Sequence, residues 1–170
     1  LMSYIIDANT NKNEKIAVIT SYTEGGSAEV NYSLFKNEVM SIASQKCISV
    51  EFIPLVQEVE FGSGTFNRFF KKVVAELQDN DLIYADITFG MKPYTLGMFT
   101  ALNYVTKVSK NVRVEQISYA QKFTGTIDVE DIEQSIIYDL TTLFYLNKVT
   151  GNLNEGDRKS TDKMLDILLK

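Results

Sequence analysis

The 170-residue chain has no histidine, no tryptophan, one cysteine and two prolines. Without histidine there can be no Ser-His-Asp triad, no His-built metal cage and no imidazole general base. One cysteine excludes disulfide frameworks and Cys-rich zinc sites, and it fits a reducing compartment. That residue, Cys47, has no His to activate it and reads as core or surface filler. No segment approaches the roughly 18 uninterrupted apolar residues of a membrane span, and no signal-peptide pattern is present. Basic charge is also scarce. With 17 Lys and Arg against 22 Asp and Glu, the net charge is −5. Broad duplex binding needs a basic footprint and is not expected; a small, discrete anion site stays compatible.

What is present is ordinary for a globular protein, at 45% hydrophobic and 23% charged residues. One domain with a real core is expected at this length. The chain opens on Leu1 followed by Met2, where a natural start is Met, so it is expected to be a piece of something longer or to carry a tag remnant. Residues 1–14 read as a polar lead-in or linker remnant, 15–150 as the domain, and 151–170 as an extension with a short helix capped by Ser160.

Within the domain, short β-branched runs alternate with helical periodicity. Ile16–Ile19, Ile48–Leu55, Asp81–Thr88 and Val112–Tyr119 read as strands, with a shorter one at Ser135–Tyr138. Between them, helices are expected over about 31–45, after Gly62-Ser-Gly64, after Pro93, and over about 140–149. The helix after Gly64 has the best period, carried by Phe66, Phe69, Phe70, Val73, Val74 and Leu77. The helix after Pro93 is apolar on more than one side and is expected to be buried on two faces, one against its own sheet and the other against a partner subunit. This alternation predicts an α/β protein, Rossmann-like, with a mostly parallel sheet and helices on both faces.

In such a fold, ligands bind beyond the carboxyl ends of the strands. Two loops qualify. Thr20–Ser27 offers Ser21, Tyr22, Thr23, Gly25, Gly26 and Ser27, a small-residue stretch whose N–H groups can form an anion nest, or which is a plain glycine turn. Asp86–Pro93 offers Thr88, Phe89, Gly90, Met91 and Lys92. A lysine at a helix start opposes the macrodipole, a conflict that an anionic ligand would relieve; otherwise Lys92 is a solvated surface cation. Asp86, with no titrating partner in view, is expected to brace the turn. Tyr22, Phe89 and Tyr119 are placed to stack on bases, although most of the aromatics must be core. Neither loop ends in the Gly-Lys-Ser/Thr of a P-loop, and Gly62-Ser-Gly64 lacks the third glycine of a dinucleotide fingerprint, so it reads as a helix entrance.

Three stretches, DLIYADITFGMKPYTLGMFTALNYV (81–105), VEQISYA (114–120) and IIYDLTTLFYLNKV (136–149), resemble the CRISPR-associated Rossmann fold (CARF) domain. The branch most similar carries an Asp-Ile-Thr-His-Gly-Phe-Arg type motif after a central strand. The similarity covers most of the chain in order of elements and includes the Asp-Leu-Thr before the last helix. It implies a homodimer whose two upper faces together bind a cyclic oligoadenylate, the messenger of type III CRISPR complexes. Thr88, Gly90 and Lys92 fall on the family's signature loop, and Tyr22–Ser27 on its first ligand loop. Phe89 stands where the family has His, and Met91-Lys92 where it has Phe-Arg, which leaves ligand size and cleavage open.

Two functions then compete. The first is a sensor domain that binds the messenger, cyclic tetra-adenylate above all, and drives an effector or membrane segment outside this chain, in or tethered near the cytoplasm. The usual fused ribonuclease uses His and is absent here. The second is a metal-independent ring nuclease, in which a ribose 2′-OH attacks the adjacent phosphate and Lys92, Ser21 or Thr23 stabilises charge. No general acid or base is evident, so the sensor is favoured and no catalytic residue, metal or cofactor is assigned. An unrelated Rossmann-like nucleotide binder is the third reading.

Overall fold

Alternation along the strands decides which way each layer faces. In β1 (Ile16–Thr23) and β2 (Val50–Gln57), Ile16, Val18, Val50 and Phe52 point to one side. Ile19, Ile53 and Leu55 point to the other. The computed structural model describes residues 1–9, 15–57, 62–88, 92–123 and 134–151, together with 158 and 162–163. The other elements are α1 (Met2–Asn9), α2 (Gly26–Gln45), α3 (Ser63–Glu76), β3 (Leu82–Asp86), α4 (Lys92–Val108), β4 (Arg113–Phe123), β5 (Gln134–Asp139) and α5 (Thr141–Thr150).

The protein is α/β, with mixed pairing. β1 and β2 pair in parallel, as do β3 and β4, while β5 runs antiparallel to β4. The strands form two hydrogen-bonded groups, β1-β2 and β3-β4-β5, with no ladder joining β1 to β3 among the described residues. The pairing is thus mostly parallel, as expected, but lies in two ladders and not in one continuous sheet among the described residues. Side chains bridge the break: Tyr84 of β3 packs into the cluster that holds Ile16 and Val18.

Helices α1 and α2 cover one side of the strands, and α3, α4 and α5 the other. Helices after β1 and after β2 thus lie on opposite faces. Right-handed crossovers would set β3 on the side of β1 away from β2, in keeping with that Tyr84 contact. In such an arrangement the topological switch point falls between β1 and β3.

Helix α3 buries Phe69 and Val73 as its period predicts, and it starts after Gly62, the expected entrance. Its Phe69 ring presses on Gly97 of α4, where an added Cβ would meet it at 3.1 Å. Helix α4 is buried on two faces, as expected, but both are internal. Met98 and Ala101 meet α3, and Phe99 and Leu102 meet the strands and Phe144 of α5. The side left exposed carries Leu96 and Val108.

A bulge between Ile83 and Tyr84 in the β3–β4 register explains why Val114 and Ile117, of opposite parity, share one core. Two other expectations change. Residues 2–9, grouped with the polar lead-in, form helix α1, because the adjacent Ile5 and Ile6 pack on Val39 and Ala43 of α2. Lys46 and Asp7 add an exposed ion pair at 3.0 Å. The stretch Thr20–Ser27 is not a loop: β1 continues to Thr23, paired through Thr23↔Gln57, and α2 begins at Gly26. Thr and Tyr are strand formers however polar they look. The Ser160 cap lies outside the described residues.

Candidate functional site

β1 and β3 are each followed, at the carboxyl end, by a tight turn. After β1 the turn is only Glu24 and Gly25. The Glu24 N–H donates to the Gln57 carbonyl at 3.1 Å, which fixes the turn to β2. Gly25 has φ 79° and ψ 170°, a region open essentially only to glycine, and Gly26 follows with φ 64°. Among the described residues no side chain caps α2 at Gly25. Ser21 and Ser27 are exposed, and Thr23 is half-buried.

Tyr22 stacks on Tyr32 of α2, with ring centroids 4.5 Å apart and planes at 17°. One face of Tyr22 is therefore taken, and a base could stack only on the other. Partial burial, followed by Tyr32 and the Glu29 and Glu24 carboxylates, pushes the Tyr22 phenol above its ordinary value. The two acids make this lip less hospitable to phosphate than its glycines alone suggest. Two residues upstream, the Thr20 hydroxyl oxygen is buried with no partner among the described residues.

The turn after β3 is built on Asp86, which braces it as expected. One carboxylate oxygen accepts from the Thr88 N–H at 2.8 Å, and the other from the Ser118 hydroxyl at 3.1 Å. The Thr88 hydroxyl oxygen accepts from the Ala120 N–H at 2.8 Å. Thr88 was expected to offer a hydroxyl to a ligand; its oxygen is instead committed to β4, leaving its proton to donate. Lys92 is the exposed first residue of α4. Phe89, Gly90 and Met91 lie outside the described residues. Tyr119 stacks on Tyr138 of β5 at 6.2 Å.

The same device recurs on the other flank of β4. Asp139 accepts from the Thr141 N–H at 2.9 Å and from the Thr141 hydroxyl, and the Thr141 oxygen accepts from the Ile117 N–H at 2.9 Å. These bonds, the hydroxyl's foremost, hold the Asp139 carboxyl below its ordinary value. Asp86-Ile-Thr88 and Asp139-Leu-Thr141 thus clamp β4 from both sides. Sequence reasoning missed Tyr32, Ser118 and the Ala120 amide, although the repeated Asp-x-Thr was there to be read.

Of the twelve expected residues, nine are described, and they fall into two sets. Ser21, Tyr22, Thr23, Gly25, Gly26 and Ser27 belong to the β1–α2 lip, and Thr88, Lys92 and Tyr119 to the β3–β4 side. A separate open cavity of about 500 Å³ is lined by Tyr4, Tyr84, Asp86, Ser118, Ile137 and Asp139 among others, and includes none of the twelve. Among the described residues, no group of three His, Cys, Asp or Glu could hold a metal. No described helix is long and apolar enough to cross a membrane.

The fold is therefore α/β and compatible with a Rossmann-like arrangement. No family model matches the chain, and no curated protein matches it.

Proposed function

We propose that this chain is the sensor domain of a type III CRISPR antiviral effector, binding cyclic oligoadenylate, cyclic tetra-adenylate in the first instance, across a homodimer and signalling to an effector in the cytoplasm or tethered to a membrane. The observation that carries this reading is the braced Asp86-Ile87-Thr88 turn, which leads toward Lys92 at the start of α4, across the switch point from the Gly25–Gly26 turn. A cyclic tetra-adenylate has one negative phosphate per nucleotide and a symmetry compatible with a twofold. Two copies of each lip can grip it without a globally basic protein.

The geometry supports a division of labour between the lips. The Lys92 side supplies a cation for phosphate, while the Tyr22 side, with Glu24 and Glu29 close by, suits the base. The exposed Leu96–Val108 side of α4 is the dimer contact in this reading.

Calorimetric titration of the chain with cyclic tetra- and hexa-adenylate in EDTA tests it. Binding at micromolar concentration or tighter, with one ring per two chains, is expected; no binding of either ring overturns the assignment. Linear products bearing 2′,3′-cyclic phosphate would replace the sensor with the ring nuclease.

A further inference from the structure

Among the described residues β2 and β5 each leave one edge unpaired, and the two strands treat that edge differently. An open edge exposes unpaired N–H and C=O groups, which natural proteins blunt with proline, lysine or bulges. On β2 both devices are present: Pro54 has no N–H to offer, and Lys72 Nζ donates to the Val56 carbonyl at 3.1 Å. Strand β5, Gln-Ser-Ile-Ile-Tyr-Asp, has no proline, no lysine and one charge. Three consecutive large side chains on it are exposed, Ile136 at 42%, Ile137 at 69% and Tyr138 at 39%.

Hydrogen-bond phase shows what this edge presents. The Ser118 carbonyl accepts from Ile87 and the Ala120 N–H donates to Thr88, so the main-chain groups of Ser118 and Ala120 turn toward β3. Their ladder partners on β5 are Asp139 and Ile137. In an antiparallel pair these are the non-hydrogen-bonded positions, so the N–H and C=O of Ile137 project away from β4. The Leu140 N–H, bonded to the Ile117 carbonyl at 2.8 Å, keeps the same phase.

We propose that β5 pairs antiparallel with β5 of a second copy of this chain, about a twofold axis at Ile137. The strand's sequence suits a second copy, being self-complementary about Ile137 with Ile136 of one copy opposite Tyr138 of the other, and its charge sets the register. Centring on Ile137 sets Asp139 of each copy opposite the uncharged Ser135 of the other, and the two carboxylates stand roughly 14 Å apart, beyond the Debye length. Centring on Asp139 would oppose two carboxylates, and centring on Ser135 would leave Tyr138 unpaired. The pairing covers Ile136, Ile137 and Tyr138 and satisfies both projecting Ile137 groups. A six-residue edge buries less than the roughly 1,000 Å² of a stable interface, so association is weak and rises with concentration.

This contact does not rest on the ligand reading. Antiparallel pairing points the carboxyl ends of β3 and β4 in opposite directions in the two copies, so it is separate from a homodimer that closes over one ligand.

The test is a position-specific cross-link in the full chain, with Cys47→Ser removing the native thiol. Under mild oxidation at about 100 µM, Ile137→Cys is expected to give a covalent dimer, because hydrogen-bonded partners lie roughly 5.5 Å apart at Cα. Ser41→Cys, on the exposed side of α2, is expected to give little. Ile137→Pro removes the projecting N–H at an edge position where proline is tolerated, and Ile137→Lys adds an edge charge. Either should abolish the concentration-dependent rise in sedimentation coefficient while leaving the circular dichroism unchanged. Cross-linking by Ile137→Cys no faster than by Ser41→Cys overturns the proposal, as does self-association that survives both edge variants. Failure to bind cyclic oligoadenylate would leave these results untouched.

Discussion

The hydroxyl oxygen of Thr88 accepts the Ala120 N–H at 2.8 Å, tying the turn that follows β3 to the extension of β4 beyond it. With Asp86 holding the Thr88 N–H, Thr88 is tied at both its N–H and its hydroxyl. Thr88→Val removes the acceptor and strands the Ala120 N–H in a half-buried position, so it should cost about 1–3 kcal/mol in urea unfolding. Thr88→Ser keeps the acceptor and should lose under about 1 kcal/mol, the worth of a methyl group. Equal losses for both variants would mean that the hydrogen bond contributes nothing.

The turn on the opposite lip depends on glycine for a different reason. A Cβ built at Gly25 meets nothing within 4 Å, so space is not the constraint. Backbone is: φ 79° with ψ 170° is a conformation that side chains exclude. Gly25→Ala should therefore cost about 1–3 kcal/mol through conformation alone. It should also weaken cyclic oligoadenylate binding by moving the α2 entrance. Thermal unfolding and calorimetry of the same variant check both, and an unchanged midpoint would show that the turn relaxes freely.

Asp139 gives a pH dependence with a definite sign. Its folded carboxyl titrates below the ordinary value, chiefly because of the Thr141 hydroxyl and then the Thr141 N–H. A depressed carboxylate contributes stability that is complete above the unfolded value, near about 3.9, and is lost as pH falls through the folded one. Wild type should thus exceed Asp139→Asn in urea midpoint at pH 6, with the gap narrowing below about pH 4. Because the group is exposed, the gap should be small. A difference that stays constant from pH 6 to pH 2.5 would remove Asp139 from the acid response.

Much of this architecture is legible in the residues. The alternation of short apolar runs with helical periods places β2–β5 and α3–α5 to within a few residues, since burial on one face leaves period 2 or 3.6 in the sequence. Asp86 as a turn brace is legible too, because Asp-x-Thr carries its own acceptor. The polar stretch Ser21–Thr23 misleads because its pairing partners, Leu55–Gln57, are more than thirty residues away and no local pattern announces them. Helix α1 is hidden likewise, since Ile5 and Ile6 gain their burial only from Val39 and Ala43. The break between β1 and β3 leaves no mark at all, for both strands keep the composition of sheet interiors.

Lys92 poses a conflict whose two halves can be measured separately. It is exposed in the first turn of α4, where a positive charge opposes the helix dipole. Lys92→Ala should raise the stability of the free protein by roughly a few tenths of a kcal/mol at low salt. On the proposed function the same change should weaken cyclic tetra-adenylate binding and reduce the slope of log K against log salt, by less than the roughly 0.7 per phosphate of a long single strand. Lys92→Arg should restore most of the slope, since guanidinium also grips phosphate. A residue kept for packing would lose stability on truncation and leave the salt slope unmoved. Opposite signs in unfolding and in binding are what a lysine held in place for an anion would give.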